Sequence, residues 1–273
     1  MGRISTDIDN IYLTLCKDLL KSPKVGNTRE LNNVKLVLKD INKNIVSVRG
    51  ISPSYLAGEL LWYFNGDPSL KFISEYSSFW KNISDDGVTC NSAYGYLAQL
   101  KHGFNQIDQV IEILKKDPES RRAKININTP GPCTMDTKDE PCTMSLHFMI
   151  RKNNLDCTVV MRSNDIWFGF PYDVAFFTTL QKYIAKCLGV GYGWYTHFAV
   201  SLHMYDHDAE KVAAIVDNPV SKPIEFNEDK FFENFSFIFE LLKVAQNHNV
   251  DVKKMTMKLF HDMGIYKEVK DEN

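Results

Sequence analysis

Hydrophobic positions recur at helical spacing near the start of the chain, where Ile8, Ile11, Tyr12, Leu15, Cys16, Leu19 and Leu20 share one face. Thr6-Asp7 offers a cap before them and Lys21-Ser22-Pro23 a stop, so the segment predicts an amphipathic helix. The period then falls to two: Val34, Leu36 and Leu38 alternate with Lys35, Val37 and Lys39, as on a half-buried strand. Ser52-Pro53, the run from Tyr55 to Phe64 and then Gly66 supply the cap, first-turn proline and terminal glycine of another helix. Ile107, Val110, Ile111 and Leu114 predict a third, stopped at Asp117-Pro118. Alternation returns at Ile125 and Ile127, at Leu146, Phe148 and Ile150, and from Cys157 to Met161, so the middle of the chain is predicted to be a sheet. Pro171 opens a predicted helix to about Leu188, Gly189, Gly191 and Gly193 predict a turn, and His197 to His203 a further strand. Helices are expected to close the chain, with Phe231 to Val244 the clearest.

No linker-like stretch, repeat or low-complexity tract divides these elements, which predicts a single α+β domain over 1–273. At 273 residues, 44% hydrophobic and 24% charged, the chain can bury a large core. A formal charge of -2 gives no field that would gather nucleic acid or an acidic membrane. Any phosphate must then be gripped by a few placed arginines, and a small-molecule ligand is expected. No apolar run is long enough to cross a bilayer, and a cytoplasmic protein is expected. Six cysteines (Cys16, Cys90, Cys133, Cys142, Cys157, Cys187) are scattered without a Cys-x-x-Cys pair, against a zinc ribbon or a secreted disulfide framework. Thiols buried in the core are expected for most of them.

The densest chemistry lies in Met161-Arg162-Ser163-Asn164-Asp165-Ile166-Trp167-Phe168-Gly169-Phe170-Pro171-Tyr172-Asp173, which sets a cation, a hydroxyl and two carboxylates around a glycine turn. Arg122, closing the pair Arg121-Arg122, then Cys142 in Glu-Pro-Cys-Thr-Met, and Arg162 follow one another at equal spacing. Guanidinium groups bind phosphate through two parallel hydrogen bonds, although an adjacent arginine pair also occurs as ordinary solvated charge. A cysteine thiolate can add to an electron-poor carbon and leave again. Cys133 stands in a second Pro-Cys-Thr-Met, so context alone does not separate it from Cys142; the loop Thr129 to Pro141, with Pro130, Pro132 and Pro141, leads into Cys142. Glu59 falls among apolar neighbours, where an ionised carboxylate needs partners. His203 and His207 are four apart on a possible helix start, but no glutamate follows His203 as a metalloprotease helix requires, and no metal site is expected. Asp173, beside Pro171, would serve equally as a helix cap.

These stations resemble the thymidylate synthase family, and within it its phage deoxycytidylate hydroxymethylases, from about Pro23 to Val212, with the part after Asp217 divergent. The resemblance implies a mixed, mainly antiparallel sheet flanked by helices and a homodimer packed through its sheets, with Arg121 and Arg122 reaching the partner's site and joining Arg162 and Ser163 on the phosphate. It implies that Cys142, which keeps the family's distances, is the nucleophile, and Cys133 a loop thiol. Glu59, in Gly-Glu-Leu-Leu-Trp-Tyr-Phe, would organise the waters that move protons, and Tyr94, with Gly95, would lie beside the nucleophile. His203 and Tyr205 would hold the sugar hydroxyl, and Lys24 or Arg29 would stand in for the family's flexible N-terminal arginine. Trp80, Asp165 and Gly169 would meet the folate, Asp165 at its pterin ring.

Departures from thymidylate synthases bear on substrate and product. Asp173 stands where they carry the asparagine that reads the pyrimidine edge; a carboxylate only accepts, so it suits the N4 amino group of cytosine with a proton at N3. Asn164 stands where they commonly have cysteine, Thr143 where they have the histidine after the nucleophile, and Tyr266 to Asn273 lacks their apolar tail. A wetter pocket favours capture of the exocyclic methylene by water. The expected reaction is dCMP, 5,10-methylenetetrahydrofolate and water to 5-hydroxymethyl-dCMP and tetrahydrofolate. Alternatives are a C5 methyltransferase of the same fold, a CMP or dUMP hydroxymethylase, and a nucleotide- or RNA-binding regulator. Neither nucleic acid nor membrane is an expected partner, and the product suits modified phage DNA, made in the host cytoplasm if the chain is phage-encoded.

Overall fold

The computed structural model describes residues 3–128, 136–248 and 250–268. In chain order its elements begin with β1 (Arg3–Ser5), α1 (Ile8–Lys21), β2 (Lys24–Val25), β3 (Thr28–Leu38) and α2 (Pro53–Phe64). Next come α3 (Leu70–Ile73), α4 (Phe79–Ile83), α5 (Tyr94–Gln99), α6 (Gln106–Lys116), β4 (Lys124–Asn126), β5 (Thr143–Arg151) and β6 (Asn154–Asp165). The chain continues through α7 (Gly169–Leu188), β7 (Gly191–Tyr205), α8 (Ala209–Asp217), β8 (Ile224–Phe226), α9 (Glu228–Gln246), α10 (Val252–Asp262) and β9 (Tyr266–Glu268). The described residues fall into two compact units: 3–51, 106–128 and 142–223 form one, and 52–105, 136–141, 224–248 and 250–268 the other.

The first unit holds the sheet. Among the described residues it has seven strands in the order β1-β3-β7-β6-β5-β4, with β2 paired to β3. The β1–β3 and β6–β7 pairs are parallel and the rest antiparallel, which is the mixed, mainly antiparallel arrangement expected. Helix α1 forms where the periodicity placed it: the Asp7 side chain accepts the Asp9 N–H at 2.9 Å, and Ile8, Ile11, Tyr12, Leu15, Cys16 and Leu19 are buried. Helix α7 starts two residues ahead of Pro171, since a proline is tolerated in a first turn whose N–H groups have no helical partner, and it ends at Gly189, φ 68°.

Gly191 and Gly193, expected in a turn, lie inside β7 instead. A Cβ on Gly193 would come 2.3 Å from Asp156 Oδ1 and 2.6 Å from the Leu155 carbonyl oxygen. Close approach of β6 is thus the reason for the glycine, and local turn chemistry is not. The second unit is helical, with Phe64 edge-on to Phe231 at 5.3 Å and Phe72 against Phe239 at 4.6 Å. Its two-stranded antiparallel sheet of β8 and β9 has no counterpart in the sequence reading, because strands that short carry no readable alternation.

The sheet does not keep one inward face along its length. On β6 the buried positions run Leu155, Cys157, Val159, Met161 and then pass to Asn164; on β7 they run Tyr195, His197, Ala199 and then pass to Leu202 and Met204. Ser163 and Ser201, paired across the two strands, mark the level of the switch. At that level β3 carries Asn33 at φ 54°, and β5 shifts register between Thr143 and Ser145. The irregularity crosses four strands, leaves Arg162 exposed and turns Asn164 inward. Gly193→Ala is expected to lower stability by about 1–3 kcal/mol, because the added methyl has no room against β6; a urea denaturation midpoint equal to that of the parent protein would refute the close approach.

Candidate active site

Cys142 precedes β5, and its carbonyl accepts the Arg162 N–H at 2.9 Å, so thiol and guanidinium leave neighbouring strands at one level. The Cys142 thiol is half-exposed, whereas Cys16, Cys90 and Cys157 are buried. Burial pushes the Cys16 and Cys90 thiols up to about 12 and that of Cys157 well above its ordinary value, which leaves them poor nucleophiles and core residues, as expected. Cys133 and most of the loop preceding Cys142, residues 129–135, lie outside the described residues.

Beyond Cys142 and Arg162, β6 and β7 line up further polar side chains. Ser163 Oγ lies 3.4 Å from His203 Nδ1, Asp165 is in register with His203, and the His203 ring meets the Tyr205 ring edge-on at 5.3 Å. Burial raises the Asp165 carboxyl and lowers the His203 imidazole, with attraction between the two opposing both shifts. Burial also raises the Tyr205 hydroxyl, helped by the negative fields of Asp165 and Cys142. Lys24 pairs with Asp206 at 3.0 Å, next to Tyr205, while Arg29 Nη1 donates to the Ser22 carbonyl oxygen at 2.9 Å. His203 lies on β7 and not on a helix.

Asp173, in the early turns of α7, does not cap that helix. Its Oδ2 accepts from Asn164 Nδ2 at 2.8 Å; Asn164 Oδ1 lies 3.1 Å from His197 Nε2, and His197 Nδ1 lies 2.9 Å from the Tyr195 hydroxyl. Asn164, His197 and Tyr195 are buried while Asp173 keeps some exposure. Burial pushes the Asp173 carboxyl up to about 7, against the Asn164 donation, which lowers it. Burial takes His197 down to about 3, so the imidazole is neutral. Gly169 completes the cluster: a Cβ there would meet Asn164 Nδ2 at 3.1 Å and Asp173 Oδ2 at 3.3 Å.

The other unit gathers the remaining candidates. Trp80 Nε1 donates to the Tyr55 hydroxyl at 3.1 Å, and that hydroxyl donates to Glu59 Oε1 at 2.8 Å, one helical turn away on α2. Trp80 packs edge-on against Trp62 at 5.0 Å, and Tyr94 stacks on Tyr63 at 5.4 Å. Glu59, Trp80 and Tyr94 are thus joined through one aromatic cluster. Arg121 and Arg122, both exposed, are not brought to Cys142. The Ala123 carbonyl accepts the Phe148 N–H, which puts the pair toward the far end of β5, about 20 Å along the strand at the usual rise per residue. Arg121 there lines an open groove of about 780 Å³ with Arg151 and Lys152.

Sequence reasoning missed Asn164's partners and the surroundings of Trp167. Arg49 Nε donates to the Trp167 carbonyl oxygen at 3.0 Å, its guanidinium lies 4.6 Å from the Trp167 ring centre, and Lys211 Nζ lies 5.6 Å from the same ring. No local pattern joins residues so far apart in the chain.

A thymidylate synthase family profile matches residues 10–268. The chain belongs to the thymidylate synthase family. Among relatives, a "Deoxyuridylate hydroxymethyltransferase" of Bacillus phage SP01 is 28% identical over 251 residues, 84% of this chain and 66% of that protein. One of the same name from Pseudomonas phage M6 is 29% identical over 179 residues, 63% of this chain and 51% of the relative. A "Putative thymidylate synthase" of Methanocaldococcus jannaschii is 42% identical over 114 residues, 40% of this chain and 51% of the relative. The matches span between half and two thirds of these relatives' lengths. The family match extends past Asp217, where the sequence had looked divergent.

The raised Asp173 pKa predicts a pH dependence of stability. Its folded value, about 7, exceeds the ordinary 3.8, so between those values the folded chain holds a proton that the unfolded chain has released. The stability gained from that proton is present below about 4 and is lost as pH rises through 7. Asp173→Asn removes this dependence, so the parent protein should lose stability relative to the variant between pH 5 and 8. Denaturation midpoints whose difference stays constant over that range would show that the carboxyl is not so perturbed.

Proposed function

We propose that this protein transfers a hydroxymethyl group to C5 of a pyrimidine deoxynucleoside monophosphate, with dCMP the preferred substrate. The observation that carries the reading is the Arg162 N–H to Cys142 carbonyl bond, which sets a half-exposed thiol beside an exposed guanidinium on the sheet. Arg162 and Ser163 bind the 5′-phosphate, His203 and Tyr205 the sugar hydroxyl, and Lys24 adds positive charge near Tyr205. Arg121 and Arg122, too far along β5 to serve Cys142 of their own chain, serve the partner's site in a homodimer packed through the sheets.

Asp165, Gly169 and Trp80 meet a folate co-substrate: the partly exposed Asp165 carboxyl matches the donor edge of a pterin, and Gly169 has no side chain to crowd Asn164 and Asp173. The co-substrate supplies the one-carbon unit at the oxidation level of formaldehyde. Cys142 Sγ bonds to C6 of the base, which makes C5 a nucleophile for that unit. Glu59, with Tyr94, directs the proton transfers that remove the C5 hydrogen; the carbon–nitrogen bond to the folate breaks with its electron pair going to the folate nitrogen, which leaves an exocyclic methylene on C5. Water then adds to the exocyclic methylene, the C6–S bond breaks, and Cys142 leaves as the thiolate. Attack by water leads to the alcohol without any oxidation of the folate, so tetrahydrofolate is the second product.

Two observations bear on the base. Asp173 replaces an amide with a carboxyl, and a carboxyl sharing one proton with cytosine N3 while accepting from N4 fits dCMP. Both phage relatives bear the name deoxyuridylate hydroxymethyltransferase, which favours dUMP as the second reading and hydroxymethyl as the product under either. With 5-tritiated dCMP and methylenetetrahydrofolate, the enzyme should release tritium and yield a nucleotide heavier by one hydroxymethylene unit. Cys142→Ala should be slower by about a thousandfold or more. Release from dUMP alone would move the assignment to that base, and dihydrofolate absorbance during turnover would move it to methyl transfer.

A further inference from the structure

Resting on the reading that Asp173 meets the pyrimidine edge, we propose that Asn164, locked by His197 and Tyr195, is the residue that makes base recognition specific: it fixes Asp173 Oδ2 as the acceptor oxygen and leaves Oδ1 as the one that carries a proton. The two bases are related by a symmetry. Uracil presents a donor at N3 and an acceptor at O4; cytosine presents an acceptor at N3 and a donor at N4. These are the same two points with their roles exchanged. A neutral carboxyl that can place its proton on either oxygen satisfies both patterns and so distinguishes neither.

Asn164 removes that freedom. Its Nδ2–H points at Asp173 Oδ2, 2.8 Å away, and an oxygen receiving that bond is disfavoured as the site of a proton. The amide is itself prevented from turning over. The bonds can run in one direction, from the Tyr195 O–H to His197 Nδ1, from His197 Nε2–H to Asn164 Oδ1, and from Asn164 Nδ2–H to Asp173 Oδ2. Reversal would move the imidazole proton to Nδ1 and force the Tyr195 hydroxyl to donate elsewhere. Tyr195 is fully buried and has no hydrogen-bond partner other than His197 among the described residues, so reversal would strand its proton. The groups acting on Asp173 are consistent with a proton held there: Asp165, at the end of β6, disfavours a second negative charge, and His197 and Tyr195 on β7 are both kept uncharged by burial. Gly169 packs closely on this bond, since a Cβ there would come 3.1 Å from Asn164 Nδ2 and 3.3 Å from Asp173 Oδ2.

The test is calorimetric binding of dCMP and of dUMP between pH 6 and 9 by the full-length protein and three variants. Asn164→Leu, close in size and unable to donate, should reduce discrimination between the two nucleotides by about tenfold, the worth of one hydrogen bond to an ionisable group. It should also raise the pH midpoint of dCMP binding, because the donor that favoured the ionised form is gone. Tyr195→Phe, isosteric and remote from the ligand, should move the ratio the same way by a smaller factor, and it provides the reading if Asn164→Leu fails to fold. Weakening of both nucleotides alike, with ratio and midpoint unchanged in these variants, would reduce Asn164 to a packing residue and overturn the proposal. Asp173→Asn separates the two levels. A shift of preference toward dUMP with Asp173→Asn but none with Asn164→Leu or Tyr195→Phe leaves the base reading standing and removes Asn164's role. An unchanged preference with Asp173→Asn, or no binding of either nucleotide by the parent, removes both.

Discussion

Side chains on a strand alternate between two faces, and β6 and β7 both break that alternation at the level of Ser163 and Ser201. The site depends on this break. Before it, β6 buries Cys157, Val159 and Met161 as core; after it, Asn164 turns inward while Arg162 faces solvent. One uninterrupted alternation would have put Ser163 and Asp165 in the core and sent Asn164 outward. The irregularity is shared by Asn33 on β3 and by the register shift at the start of β5, so neighbouring strands remain hydrogen-bonded through it. The residues on either side of the break thus stay in one hydrogen-bonded sheet.

Around the break the charges are arranged by burial more than by pairing. Asp165 and Asp173 are both raised by loss of water, and His203 and His197 are both lowered by it. Such a region favours neutral, directional hydrogen-bonding groups, which suits reading the edge of an uncharged heterocycle. Arg162 and Lys24 are exposed, so their charged groups keep their water.

The second unit shows the same economy in its own way. Glu59 sits on a helix buried almost all round, and its carboxylate is reached by Tyr55, which in turn accepts from Trp80. A single buried carboxylate on an apolar helix is costly without partners, and the Tyr55 hydroxyl is one donor that it has.

The sequence alone determined the longer helices and the central strands, and it named the candidates, because those signals are local. A periodicity of 3.6 or 2 shows itself within ten residues, and Arg162, Ser163, Asp165, Gly169 and Asp173 fall within one short run. Equal spacing of Arg122, Cys142 and Arg162 was likewise readable, and the family profile over 10–268 agrees with the resemblance drawn from it. Tertiary structure alone decided which of these groups meet. Gly193 read as a turn and proved to be a point of contact with β6; Asn164 read as a departure from a motif and proved to be Asp173's donor; His197 and Tyr195 carried no signal at all. The reason is physical: a hydrogen bond between β6 and α7, or between β6 and β7, depends on which face each strand turns inward, and the break in alternation that sets those faces arises from pairing between strands distant in the chain.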